Sequence, residues 1–210
     1  MKAIKLYRNP KSGHCHRVEL MMSLLGLPYE TIDLDMGNGA HKEAAYLAIS
    51  PFGQVPAIDD DGTTLADSNA IITYLVHAYA DAPAWVGETP TERAAVQRWL
   101  SVAAGELAAG PCAARLVTVF GADLDHGAAL EKAHALLAVM EQALEGRTYL
   151  AAERMTLADV AGYSYIAHAP EGGVDLADYP NIRAWLHTIE QVPGFVGMAR
   201  SPVTVTEHVA

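Results

Sequence analysis

The chain has 210 residues, between one large domain and two compact ones, and is 51% apolar and 19% charged, the composition of a folded protein rather than a disordered or collagen-like one. Its 14 basic and 25 acidic residues give a formal charge of −11, which argues against nucleic-acid or anionic-membrane partners, because both demand a basic footprint. Two cysteines, Cys15 and Cys112, are too few for a disulfide framework and lack zinc spacing, so a reducing compartment is expected. The amino terminus is interrupted by Lys2, Lys5 and Tyr7-Arg8-Asn9-Pro10, which leaves no signal-peptide core. The most apolar stretch, Val102 to Val119, carries Glu106, Gly110-Pro111 and Arg115 and falls short of the ~20 apolar residues of a membrane helix. A cytoplasmic protein is expected.

Strand and helix patterns alternate over the first 80 residues or so. Ile4 and Leu6 suit a strand that runs into the turn-forming segment Arg8 to Gly13. From His14, helical spacing of Val18, Met21, Met22 and Leu25 predicts a helix, and Gly26 stands where its end wants a left-handed residue. Tyr29 to Leu34 reads as a second strand and Lys42 to Leu47 as a brief helix. Val55 to Ile58 and Thr63 to Ala66 flank Asp59-Asp60-Asp61-Gly62, a hairpin signal. Asp67-Ser68 then caps a helix that buries Ile71, Ile72, Leu75 and Tyr79. The order is β-α-β-α-β-β-α, an α/β first domain over 1–80. Pro83, Gly87 and Pro90 mark a linker over 81–90. Only helical periods follow in 91–210: Val96, Trp99, Leu100, Ala103 and Leu107, then Leu130, Ala133, Leu137, Met140 and Leu144. Thr156-Leu157-Ala158-Asp159 has the spacing of a reciprocal cap, and Pro180-Asn181 opens a last helix before Pro193-Gly194.

Five segments, in order, carry a family likeness: Leu6-Tyr7-Arg8-Asn9-Pro10-Lys11-Ser12, Ser50-Pro51-Phe52-Gly53-Gln54-Val55-Pro56, Asp67-Ser68-Asn69-Ala70-Ile71, Thr156-Leu157-Ala158-Asp159, and Tyr179-Pro180-Asn181 with Trp185. Together they cover nearly the whole chain, which resembles the cytosolic glutathione transferases, in a bacterial, serine-type, theta-like form. The resemblance implies a thioredoxin-like first domain, an all-α second domain, and attack of a glutathione thiolate on an electrophilic carbon. Glutathione is a co-substrate there, with no further cofactor. A free thiol titrates near ~8.5, and lowering it by two units is worth ~2.7 kcal/mol. Ser12 stands between the first strand and the first helix, where a hydroxyl and helix N–H groups favour a thiolate. It is the catalytic candidate, with Tyr7 and Asn9 behind it. In Ser12-Gly13-His14-Cys15 serine takes the nucleophile's position of a redox Cys-x-x-Cys, so disulfide reduction is disfavoured, and Cys15 reads as a small apolar residue of the helix.

For the rest of glutathione, the resemblance assigns Val55 to the cysteinyl backbone beside a cis Pro56, and Ser68 to the γ-glutamyl carboxylate with Asp67 on its ammonium. It gives Gln54 to the peptide, and His41 and Lys42 to the glycyl carboxylate. Since glutathione is itself an anion, attraction must be local, from helix N-termini at His14 and Ser68 and from Lys11, His41 and Lys42. The hydrophobic co-substrate is expected in a cleft lined by helices that start near Thr91 and Pro111, with Leu107, Pro111, Arg115 and Leu116 as candidates. Arg17 reads as a helix-surface charge or dimer contact, and Thr156 and Asp159 as structural. His14 and His16 point to different helix faces without an i+4 partner, so no metal is expected. The resemblance implies a homodimer. Two other readings stand beside conjugation: glutathione-dependent isomerisation, dehalogenation or ether cleavage by the same thiolate, and a non-catalytic glutathione-binding or regulatory module.

Overall fold

The computed structural model describes residues 2–202; the tail after Pro202 lies outside them. The described residues divide into two compact units, 2–93 with Glu190–Ala199, and Ala94–Ile189 with 200–202.

In the first unit, β1 (Ile4–Arg8), β2 (Tyr29–Asp33), β3 (Ala57–Asp60) and β4 (Thr63–Ala66) form one sheet in the order β2-β1-β3-β4. β1 runs parallel to β2, as a helical crossover requires, and β3 is antiparallel to both β1 and β4. Helix α1 (Gly13–Leu24) makes that crossover, is capped by Ser12 and ends before Gly26 at φ +63°. A 3-10 turn (Ala40–Lys42) and α2 (Ala44–Leu47) lead to the β3–β4 hairpin, and α3 (Ser68–Tyr79) packs against α1. Ile4, Leu6, Val18, Leu20, Ile58, Ile71, Ile72 and Leu75 are fully enclosed between sheet and helices. This is the thioredoxin-like arrangement expected for the first half.

Two boundaries differ from the sequence reading. The 81–90 segment contains a short helix, α4 (Ala82–Val86). Residues Glu190–Ala199, assigned from sequence to the helical domain, belong to the first unit: His16 Nε2 lies 2.8 Å from the Val196 carbonyl, and the Ser23 hydroxyl donates to Gly194 O at 2.7 Å. Coil without apolar periodicity carries no sign of what it packs on.

The second unit is helical. α5 (Pro90–Ala104), which begins in the first unit, continues through a π turn (Ala108–Cys112) into α6 (Ala113–Phe120), and α7 (His126–Ala143), α8 (Leu157–Ala167) and α9 (Pro180–Glu190) follow. Pro111 itself lies inside the π turn, and α6 starts two residues on, at Ala113. The run Pro90–Phe120 is 31 residues, long and apolar enough by length and composition to cross a membrane. Its buried face of Val96, Trp99, Ala103, Leu107 and Ala114, with Arg115 ion-paired inside the unit, makes it a core helix instead. At Gly110 an added Cβ would lie 2.8 Å from the backbone N of Ala133, so only glycine permits this close approach to α7.

Asp159 anchors the unit. Its fully enclosed carboxylate accepts from Leu150 N–H at 2.9 Å, Thr156 N–H at 2.9 Å, the Thr156 hydroxyl at 3.1 Å and Trp185 Nε1 at 3.0 Å. It closes the predicted capping box and also ties α8 to α9 and to the 150 loop. Asp159→Ala orphans several buried donors and should lower stability by about 3 kcal/mol or more. The urea midpoint measures this, and a loss under about 1 kcal/mol would contradict the anchoring role.

Candidate functional site

Tyr7, Ala57 and Ala66 lie side by side across β1, β3 and β4. Two residues further toward that edge of the sheet the three chain segments reach Asn9, Val55 and Ser68. The register therefore gathers the turn before α1, the Val55-Pro56 segment and the start of α3 at one end of the sheet, the end to which the sequence motifs point.

At the start of α1, the Ser12 Oγ accepts the Cys15 N–H at 3.4 Å, and Ser12 N–H bonds Asn9 O at 2.9 Å. Cys15 is 1% exposed. Burial pushes its thiol up to about 11, against smaller downward pulls from Ser12 and the Asn9 N–H, so the thiol stays protonated. Asn9 is used structurally: its Oδ1 accepts from Lys11 N–H at 2.9 Å, and its Nδ2 faces Met36 Sδ at 3.6 Å. Tyr7 packs edge-on against Tyr46, with centroids 5.9 Å apart. Ser12 is thus the hydroxyl left at the helix start.

The second segment is held from behind. Gln54 O accepts from the Tyr46 and Ser50 hydroxyls, both at 2.8 Å, contacts that no local sequence pattern announces. The Val55–Pro56 bond is cis. Among the described residues Val55 N–H and C=O have no partner, since the ladder starts at Ala57. Lys42 Nζ donates to Phe52 O at 3.2 Å and Gly53 O at 3.4 Å. Gly53, at φ +59°, could carry no side chain, since a Cβ would lie 2.7 Å from His41 O. The His41 Nδ1 is buried without a hydrogen-bond partner among the described residues.

At the third segment Asp67 caps α3 through Ala70 N–H at 2.9 Å and holds φ +75°, a costly conformation for a non-glycine residue and one that clusters at functional sites. Ser68 Oγ accepts from Arg17 Nη1 at 2.8 Å and lies 3.2 Å from His14 Nδ1. Arg17 corrects the sequence reading: it is 1% exposed, a buried cation beneath the start of α3 and not a surface charge. Its i, i+3 spacing from His14 is the one sequence signal that both address the same neighbour.

The co-substrate candidates fare differently. Leu107, Pro111 and Arg115 are buried in the helical unit, and only Leu116 is half-buried. Arg115 Nε donates to Glu171 at 2.7 Å, and Glu171 also takes His168 Nδ1 and Ser201 N–H, so Arg115 is a structural ion-pair partner. What the unit does offer is a groove of about 640 Å³ between α5 and α7, walled by Trp99, Val102, Ala109, Leu136 and Val139. Among the described residues no group of three or more His, Cys, Asp or Glu could hold a metal ion.

The first unit is thus thioredoxin-like, with a hydroxyl at the start of α1 and an open backbone pair before a cis proline, and the second is helical. Comparison with known proteins makes the class specific. Residues 12–78 match the family model of the glutathione S-transferase N-terminal domain, and 125–193 that of the C-terminal domain. Glutathione S-transferase 3 of Zea mays is 32% identical over 93% of this chain and 92% of its own length. A glutathione S-transferase structure from Pseudomonas fluorescens superposes with TM-score 0.87 at 32% identity, covering 94% of this chain and 99% of that one. A possible transferase from Rhodopseudomonas palustris gives 0.84 at 32% identity, over 100% and 96%. The chain belongs to the glutathione S-transferase family and is a glutathione transferase.

Both thiols are buried, Cys112 at 5% exposure. Native protein should therefore leave both unmodified by an aromatic disulfide reagent at pH 8, with two thiols released on denaturation. Rapid native labelling of Cys15 would overturn its protonated, enclosed state.

Proposed function

We propose that the chain binds glutathione at the common end of β1, β3 and β4 and transfers it, as a thiolate stabilised by Ser12, to a small hydrophobic electrophile. The observation that carries this reading is the unpaired N–H and C=O of Val55, two residues ahead of β3, the strand that lies between β1 and β4. An extended peptide pairing there as an added strand has its thiol directed to Ser12 and one carboxylate to Ser68. Asp67 takes the ammonium. Gln54 lies along the peptide. His41, with its buried Nδ1, and Lys42 flank the other carboxylate. The Ser12 hydroxyl donates to the thiolate, and the N–H groups of the first turn of α1 add their dipole. Cys15, enclosed and protonated, takes no part. We place this activity in the cytoplasm, in detoxification, on a serine-type enzyme that needs no cofactor, metal, nucleic acid or membrane.

We further propose a homodimer. Phe52 is 83% exposed on the loop before Pro56, an unusual position for a large apolar ring. The α5–α7 groove fits it, and two copies related by a two-fold axis supply one ring and one groove each. Burying each ring is worth ~1.5–3 kcal/mol. Phe52→Ser should shift the dimer toward monomer in sedimentation velocity, and an undisturbed dimer would contradict the pairing.

Ser12→Ala should abolish the thiolate absorbance of bound glutathione at neutral pH and lower kcat/KM by about 10²-fold. An unchanged thiol titration would remove Ser12 from its role. Failure of the wild-type protein to bind glutathione or conjugate any of several electrophiles would refute the enzymatic reading.

A further inference from the structure

A serine hydroxyl has one hydrogen to give and two lone pairs to fill. At Ser68, two side chains of α1 compete for them. Arg17 donates from Nη1 at 2.8 Å, and the same nitrogen reaches Asn69 Oδ1 at 2.8 Å. A guanidinium has no acceptor, so the Ser68 oxygen accepts this bond. His14, three residues earlier on the same helix, sets Nδ1 3.2 Å from the same hydroxyl. Burial, and after it the charge of Arg17, pushes His14 down to about 3, so its ring is neutral at working pH and carries one proton on one of two nitrogens. With the proton on Nδ1, both Ser68 lone pairs are filled and the hydroxyl hydrogen is free to point away from α1. With Nδ1 bare, that hydrogen is consumed by the ring. Ser68 is only 3% exposed, so little of its side chain is open to a ligand, and the direction of this one hydrogen decides what it can hold.

We propose that Arg17 and His14 are positioning residues for carboxylate selection: from beneath α3 they hold Ser68 as an outward donor, with His14 in its Nδ1–H form and the guanidinium charge behind it. The inference rests on the glutathione reading and names how the α-carboxylate of its glutamyl end is chosen. It also answers how a chain of charge −11 attracts an anion at this point. A buried cation close behind the donor acts at short range and is poorly screened by salt, while the distant acidic residues are screened.

The test compares glutathione with the same tripeptide lacking the glutamyl α-carboxylate, by calorimetric Kd, on the intact protein. Wild type should prefer glutathione by about tenfold or more, and Arg17→Met should remove most of that preference while weakening the decarboxylated tripeptide by less than about twofold. Equal weakening of both ligands marks a packing role and overturns the proposal. Should Arg17→Met fail to fold, Arg17→Lys decides: it keeps the charge but loses the planar fork, and is expected to keep part of the preference, whereas a parallel loss for both ligands overturns the proposal. Independently, the ¹⁵N shifts of the His14 ring in the glutathione complex, assigned with His14→Gln, should report Nδ1–H, and a bare Nδ1 overturns the proposal. Wild type that binds both ligands equally overturns this inference alone. Wild type that binds neither overturns the glutathione reading with it.

Discussion

The register across Tyr7, Ala57 and Ala66 is the constraint on which the first unit depends. Because side chains alternate faces along a strand, a slip of one residue in either pairing would turn the enclosed Leu6 and Ile58 away from the helices. It would also separate the three chain exits that converge at one end of the sheet. Core packing and the geometry of this end are set by the same pairing, so the proposed binding end inherits the stability of the core. The chemistry-bearing residues sit just past the strands, at helix caps and in a loop braced by Tyr46 and Ser50, where backbone groups are open to a ligand yet fixed in place.

Electrostatics in this protein are local. The net charge of −11 is unfavourable for an anionic ligand at long range, and under the proposed reading the compensating elements are short-range ones: helix N-termini, backbone donors and the enclosed Arg17. The helical unit handles its buried charges differently. Arg115 is neutralised by Glu171, whose carboxylate also gathers His168 and Ser201 N–H, and Asp159 is satisfied by four donors. There the polar groups tie segments of one unit together, whereas at the start of α3 Arg17 and His14 converge on a single hydroxyl, that of Ser68.

The elements themselves were legible because their signals are local: Gly26 after α1, Asp-Gly in the hairpin, Asp67-Ser68 and Thr156 with Asp159 at helix starts. The Ser12 cap and the cis Val55–Pro56 bond likewise stand at the motif positions. Arg17 reads from sequence as a surface charge because α1 is buried on most of its circumference, so periodicity offers no polar face against which a buried cation stands out. Arg115 drew attention as a charge in an apolar run, but its partner Glu171 is 56 residues away and nothing in the sequence connects them. The packing of Glu190–Ala199 on the first unit depends on single hydrogen bonds from His16 and Ser23, which coil sequence does not encode as a pattern.

The contact at Gly110 reaches beyond its own packing. Backbone atoms of α7 press against a position that has no room for even a methyl group, so the spacing between the two helices is fixed at that point. The groove between α5 and α7 opens beside this contact, since Ala109 and Lys132, each next to a residue of the close approach, line it although Gly110 does not. A change there would reach any occupant of the groove indirectly, by resizing the slot without touching it. The shape of a groove can in this way be governed by a residue that no inventory of its lining would include.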